Sequence, residues 1–162
     1  RMHKEYQRFW NEDRLEKARK KGLTPTEVAT LASIIASETN KSFEYPLIAS
    51  LYLNRLNKGI ALQACPTVIY ANGDFSIRRV LNRHLAIDSP YNTYKYVGLP
   101  PTPIAMPDMA AIEGVLNFEE HKYLYFCARP EMDGRHNFAS TLAEHNRNAQ
   151  AYHRALDKLK IR

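Results

Sequence analysis

From Thr24 to Thr39 the chain reads TPTEVATLASIIASET, and the apolar residues Val28, Leu31 and Ile35 recur at steps of three and four. That spacing is the period of one helix face. Thr24 with Glu27 makes a capping box, and Pro25 falls at the first helical position, where its missing N–H costs nothing. The same period runs through PLIASLYLNRLNKG, where Ile48, Leu51, Tyr52 and Leu56 share a face and Gly59 stops the helix. Only NKSFEY joins the two, which predicts an antiparallel helix pair with the end of the first near the start of the second. Residues 1–21 predict one amphipathic helix, with Tyr6, Phe9 and Trp10 on or near one face and Gly22 as its C-cap.

The middle of the chain changes period. LQACPTVIYANGD is rich in strand formers (Thr67, Val68, Ile69, Tyr70) and ends in an Asn-Gly turn signal, which predicts a strand. SIRRVLNRHL predicts a short helix capped by Ser76. In SPYNTYKYVGLPPTPIAMP, the prolines at 100, 101, 103 and 107 forbid a regular helix or central strand. A long pre-stiffened loop carrying Tyr91, Tyr94 and Tyr96 suits the wall of a groove better than a mere connector. DMAAIEGVLNF is a helix with Asp108 at its start, and KYLYFCAR is a strand apolar enough for burial on both faces. After the turn PEMDGR, HNF is its partner strand; a last helix begins near Ser140 and Glu144. There is no internal repeat. The element order predicts one mainly helical α+β domain over residues 1–162, with small antiparallel sheet pieces, rather than a βαβ array.

Composition adds bounds. A chain of 162 residues, 44% apolar and with 10 tyrosines, can bury a core and is not disordered. No apolar run reaches the roughly 18 residues of a membrane span, and no signal peptide is visible. The chain opens abruptly in helical sequence, so any targeting segment is expected upstream. Basic residues number 23 against 17 acidic, a net charge of +6, much of it in RLEKARKK and LDKLKIR. Such an excess suits nucleic acid, anionic lipid or an acidic polymer. Glu12, Asp13 and Glu16, however, alternate with the N-terminal cations as on a solvated helix face. Cys65 and Cys127 show no metal-ligand spacing and can pair only if the fold joins them.

Candidate chemistry starts at Glu38, which extends the Val28–Leu31–Ile35 stripe. Either it sits at the rim of a core or in a cleft, where burial raises its pKa towards that of a general acid, or it ends an exposed last turn and is simply solvated. Nucleotide-phosphate cradles, HExxH zinc sites, Cys/His clusters and the GxSxG serine elbow are all missing, so no cofactor and no metal are expected. His136 and His145 read as structural unless the fold brings them together. Tyrosines among Lys and Arg could stack on bases. Alongside Asn and Gln, they equally suit a sugar, with rings on the pyranose faces and amides on the hydroxyls.

LASIIASET, LIASLYLNRL, LQACPTVIY, SPYNTYKYVGLPPTPIAMP, YLYF and HNF…TLAEHN occur in this order. Over residues 24–153 the chain thereby resembles the YceG-like endolytic murein transglycosylases. The resemblance implies a bacterial enzyme that cuts peptidoglycan strands between N-acetylmuramic acid and N-acetylglucosamine, with a lysozyme-like logic in a substrate groove. It further implies an upstream membrane helix and a LysM-like subdomain, a catalytic part outside the cytoplasmic membrane, and peptidoglycan synthases as partners, with no nucleic acid. The family's catalytic glutamate falls on Glu38. A second acid frequent two residues earlier is Ala36 here, and the family's usual Asp before Pro66 is Cys65, which puts any contact of that aspartate in doubt.

A lone acid suits a lytic transglycosylase, because hydrolysing glycosidases pair two carboxylates. Glu44, Asp74 and Asp88 are possible second acids, but no apolar pattern positions them. Candidate substrate-binding residues are Asn54, Gln63, Thr67, Tyr70, Asn92, Thr93, Tyr94, His136, Asn137, Phe138 and Asn146, each with an alternative structural role. Arg55 is expected to brace the fold through an ion pair. A two-carboxylate hydrolase, a glycan-binding module without turnover and a basic nucleic-acid-binding domain are the competing readings.

Overall fold

The computed structural model describes residues 2–159, so Arg1 and the last three residues of the basic LDKLKIR run lie outside the described residues. Two helices replace the single one expected at the N-terminus: α1 over Met2–Phe9 and α2 over Glu12–Lys20. The break has a local cause. The Asn11 side chain accepts the Arg14 N–H and so caps a new helix.

Helix α3 (Pro25–Glu38) starts as expected, with Thr24 and Glu27 exchanging both capping-box bonds. Its burial is wider than one stripe: Ala32, Ser33 and Ile34 are buried along with Val28, Leu31 and Ile35. A helix apolar on most sides belongs inside a core, and α3 packs on both α4 (Tyr45–Asn57) and α7 (Met109–Asn117). Helices α4 and α7 meet closely at Gly114, where a Cβ would stand 2.9 Å from Tyr45 Cβ.

The LQACPTVIY segment is a helix, α5 (Cys65–Asn72), and not the expected strand. Pro66 occupies its first turn, and Gly73 ends it at φ +70°, so the Asn-Gly pair is a helix C-cap. The β-branched residues are accommodated because tertiary packing overrides weak local preference: Val68 is fully buried, and the Thr67 hydroxyl bonds the Ala64 carbonyl. The helix expected over SIRRVLNRHL shrinks to α6 (Asn82–Leu85). Ser76 caps nothing there; its N–H and hydroxyl both donate to the Asp74 carboxylate in a turn.

No helix or strand interrupts residues 86–107, as the prolines require. That loop is nevertheless fixed. Asn92 is fully buried; its amide donates to the Leu85 and Ile87 carbonyls and its Oδ1 accepts from the Tyr94 and Lys95 N–H groups. Further on, the Ile104 N–H donates to Ser33 Oγ and pins the loop to α3. Strand β1 (Tyr125–Ala128) pairs antiparallel with β2 (His136–Ala139), Phe126 facing Phe138. The hairpin is as expected, but β1 is half-buried rather than covered on both faces. Helix α8 (Leu142–Lys158) is capped by Thr141 in place of Ser140 and packs on the hairpin. The result is a mainly helical α+β chain. Among the described residues no helix is long and apolar enough to cross a membrane.

Candidate active site

Glu38 is the last residue of α3, partly accessible yet surrounded by core. It accepts a short hydrogen bond from the Tyr52 hydroxyl, and Tyr52 is itself 1% exposed. Glu38 thus meets the middle of α4, not its start as the antiparallel pairing predicted. Burial pushes its pKa up from 4.5 to about 7, and the Tyr52 bond only partly opposes the rise. Burial, then the Glu38 charge, in turn holds the Tyr52 hydroxyl well above its ordinary range, so this tyrosine acts as a donor.

Rings lock the pair in place. Tyr52 meets Phe126 edge-on at 5.9 Å, and Phe126 stacks on Phe138 at 6.0 Å. The backbone beside Glu38 is tied as well. Thr39 donates to Glu44 Oε1 at 2.9 Å, while Glu44 Oε2 takes the His136 N–H at 2.8 Å and Oε1 lies 2.9 Å from His136 Nδ1. Glu44 is 2% exposed, so one buried carboxylate joins the end of α3 to β2.

Opposite stands the tyrosine loop. Cys65 Sγ lies 3.3 Å from the Tyr94 hydroxyl, and the charge of Glu38 reaches both groups. Burial first raises both pKa values; at Tyr94 the Cys65 bond and charge add to it and then Glu38, at Cys65 the Glu38 charge does, so both stay protonated at neutral pH. The two cysteines do not pair.

Two hollows adjoin this cluster, one through Tyr94 and Phe126 and the other through Ser37 and Pro66. One, of about 310 Å³, is lined by Arg55, Gln63, Tyr94, Phe126, His145 and Asn146 among others. The other, about 260 Å³, is lined by Ser37, Pro66, Tyr70, Phe75 and Ile104. Gln63, Tyr94 and Asn146 therefore come together in the first hollow, and Tyr70 lines the second with its ring against Tyr91.

Other expected contact residues turn inward. Thr67, Asn92 and Thr93 are no more than 1% exposed; Thr93 Oγ1 bonds Thr67 and accepts the Ala64 N–H. Asn54 donates to the His121 and Tyr123 carbonyls. All four are committed to bonds within the chain, and none lines either hollow. His136 is committed to Glu44, Phe138 to the aromatic stack, and Asn137 sits on β2 opposite Cys127. Among the described residues Arg55 makes no ion pair of the kind expected; its Nε and Nη1 donate to the Leu124 and Ala61 carbonyls. Sequence reasoning missed Tyr52 as the partner of Glu38, taking it for a core ring. Its hydroxyl, on a face otherwise made of Ile48, Leu51 and Leu56, was the available signal.

Compared with known proteins, the chain is 44% identical over 126 residues to an endolytic murein transglycosylase of Bacillus subtilis, covering 78% of this chain and 34% of that protein. To an endolytic murein transglycosylase of Streptococcus pneumoniae it is 38% identical over 132 residues, 79% of this chain and 24% of that one. It thus spans roughly a quarter to a third of the length of the curated relatives it matches. A crystal structure of a YceG-like protein from Listeria monocytogenes superposes with a TM-score of 0.75 at 39% identity, covering 82% of this chain and 42% of that one. The model of the YceG-like family matches residues 1–151, a span that takes in the buried acid, its tyrosine, the pinned loop and the hairpin, and the chain belongs to that family.

Proposed function

We propose that this chain is the catalytic part of an endolytic peptidoglycan transglycosylase that cuts the bond between N-acetylmuramic acid and N-acetylglucosamine and leaves 1,6-anhydro ends. The observation that carries the reading is a single carboxyl, Glu38, with a pKa near 7 and a fixed hydroxyl donor on one oxygen. At neutral pH such a group can both give and take a proton.

The chemistry follows in two steps. Glu38 protonates the glycosidic oxygen, the C1–O bond breaks, and the N-acetylglucosamine leaves as an alcohol. The muramyl C6 hydroxyl then attacks C1, its proton passes to the Glu38 carboxylate, and the acid is restored. No water enters. Intramolecular attack supplies an effective molarity on the order of 10⁵ M or more when the ring is held correctly. Because Tyr52 occupies Oε1, the working proton belongs on Oε2. The Tyr52 bond also stabilises the carboxylate that forms as charge builds on the sugar.

The rival hydrolysis needs a second carboxylate to activate water or attack C1. Glu44 has both oxygens bonded internally, and Asp74 and Asp88 are exposed with partners of their own. The two hollows beside the Glu38 cluster, one reached through Tyr94 and Phe126 and one through Ser37 and Pro66, support a strand running past it. The match to a fraction of each relative's length supports a longer protein. A membrane anchor in its remaining segments, this part on the outer side and peptidoglycan synthases as neighbours belong to the same proposal and rest on the family resemblance alone.

Mass spectrometry of peptidoglycan incubated with the chain tests the reading. Anhydro-muramyl ends are expected, and their loss in Glu38→Gln with an unchanged circular-dichroism spectrum. Reducing ends would assign a hydrolase; binding without products would assign a glycan-binding module.

A further inference from the structure

A buried arginine without an acid is an unfinished site. Arg55 is 6% exposed, and no carboxylate among the described residues lies within ion-pair distance of it. Two of its nitrogens are held by carbonyls and its guanidinium lies 5.0 Å above the Tyr125 ring, and among the described residues Nη2 has no hydrogen-bond partner. Buried charges are ordinarily paired. This one lines the 310 Å³ hollow, and no acidic residue lines it with Arg55.

The rest of the hollow supports the same chemistry. Gln63 adopts φ +53°, a left-handed conformation that costs a non-glycine residue energy and persists only where surroundings enforce it. The Gln63 N–H is fixed to the Thr93 carbonyl at 3.1 Å, and its exposed side chain is set at the edge of the hollow. Asn146 lines the hollow from α8, and His145 Nδ1 is buried there with no hydrogen-bond partner among the described residues. Burial and the Arg55 charge hold His145 below its ordinary pKa, so the imidazole is neutral at neutral pH and the cation stands alone.

Resting on the transglycosylase reading, we propose that this hollow is the subsite for a carboxylate carried by the muramyl residue, with Arg55 as its cation and the Gln63 and Asn146 amides as flanking donors. The position fits. Tyr94 both lines the hollow and stands in the field of Glu38, and Tyr52 links Glu38 to Arg55 electrostatically. The logic is one of register. N-acetylglucosamine is neutral, and the muramyl C3 lactyl group is what distinguishes the sugar whose C1 must face the acid. A cation that seats that substituent selects the muramyl–glucosaminyl bond over the alternate one, through charge-assisted hydrogen bonds. Either the lactyl carboxylate of a stem-free strand or a carboxylate of the peptide stem supplies the same chemistry.

The test uses glycan oligosaccharides of three kinds: free lactyl carboxylates, the same groups capped as methyl amides, and intact stems. Calorimetry on the Glu38→Gln chain reads affinity, and the unsubstituted chain reads products. At least one carboxylate form is expected to bind about tenfold more tightly than the neutral cap. Which form does so identifies the source. Asn146→Asp, which puts a negative charge in the hollow, is expected to erase that ratio, as is Arg55→Gln wherever it folds. Equal affinity for all three, or a ratio untouched by Asn146→Asp, overturns the subsite. A preference without anhydro ends keeps the subsite and refutes the transglycosylase; anhydro ends without a preference do the reverse.

Discussion

Glu38 and Tyr52 form a device whose parts oppose each other. The native state holds the Glu38 proton to about pH 7, against an ordinary value of 4.5. A group whose pKa is raised by folding gives its full support below the ordinary value, and that support fades as pH climbs through the folded one. Wild-type stability should therefore fall between about pH 4.5 and 7, by at most roughly 3 kcal/mol. Glu38→Gln should flatten the curve and unfold at higher denaturant than wild type at pH 8, although it loses about 10²–10⁴ of the cleavage rate. Urea melts at pH 5 and 8 check the first part, and anhydro-end counts the second. Tyr52→Phe keeps the ring against Phe126 and removes only the hydroxyl. Because that hydroxyl lowers the Glu38 pKa, its loss should move the alkaline limb of the rate profile upward by about one pH unit. A limb that stays put or moves down would show that Tyr52 does not govern this proton.

At the scale of elements, α3 carries the acid, and three features fix where it ends up. The capping box starts the helix; Thr24→Ala should cost about 1 kcal/mol, visible as a small drop in melting temperature with little change in rate. Gly114 lets α7 approach α4, and a methyl there would press on both the side chain and the backbone of Tyr45. Gly114→Ala should destabilise by about 1–3 kcal/mol, a loss read by chemical denaturation. Glu44 ties Thr39, at the C-cap of α3, to His136 on β2. Replacing it with Ala leaves several buried polar groups unsatisfied and should cost about 2–3 kcal/mol. Its melting temperature should then fall by roughly 4–12 °C. Cleavage should fall too, because the end of the helix is no longer held against the hairpin.

For the molecule as a whole, local sequence patterns dictated more than half of the story. The Thr24 box, the prolines at 100–107 and the strand partners around PEMDGR all act within a few residues, so their outcome was legible without a fold. Glu38 could be nominated by its place on the stripe, but not weighed: a carboxyl in a last turn is solvated or buried according to what covers it. Helix α5 shows the limit from the other side, because Thr67, Val68 and Ile69 favour a strand in isolation and become helical when the core accepts them. Asn92 looked like a sugar-binding amide and proves to be the pin of its own loop. Arg55 looked like one half of an ion pair, yet it lines a hollow with no acid beside it among the described residues. The sequence by itself determined the helix boundaries it could encode with caps and breakers, the family blocks and the place of Glu38 at the end of an apolar stripe. Only the tertiary structure decided that acid's environment, its tyrosine and which polar side chains remain free, because burial and partnership are properties of residues distant along the chain that meet only when it folds.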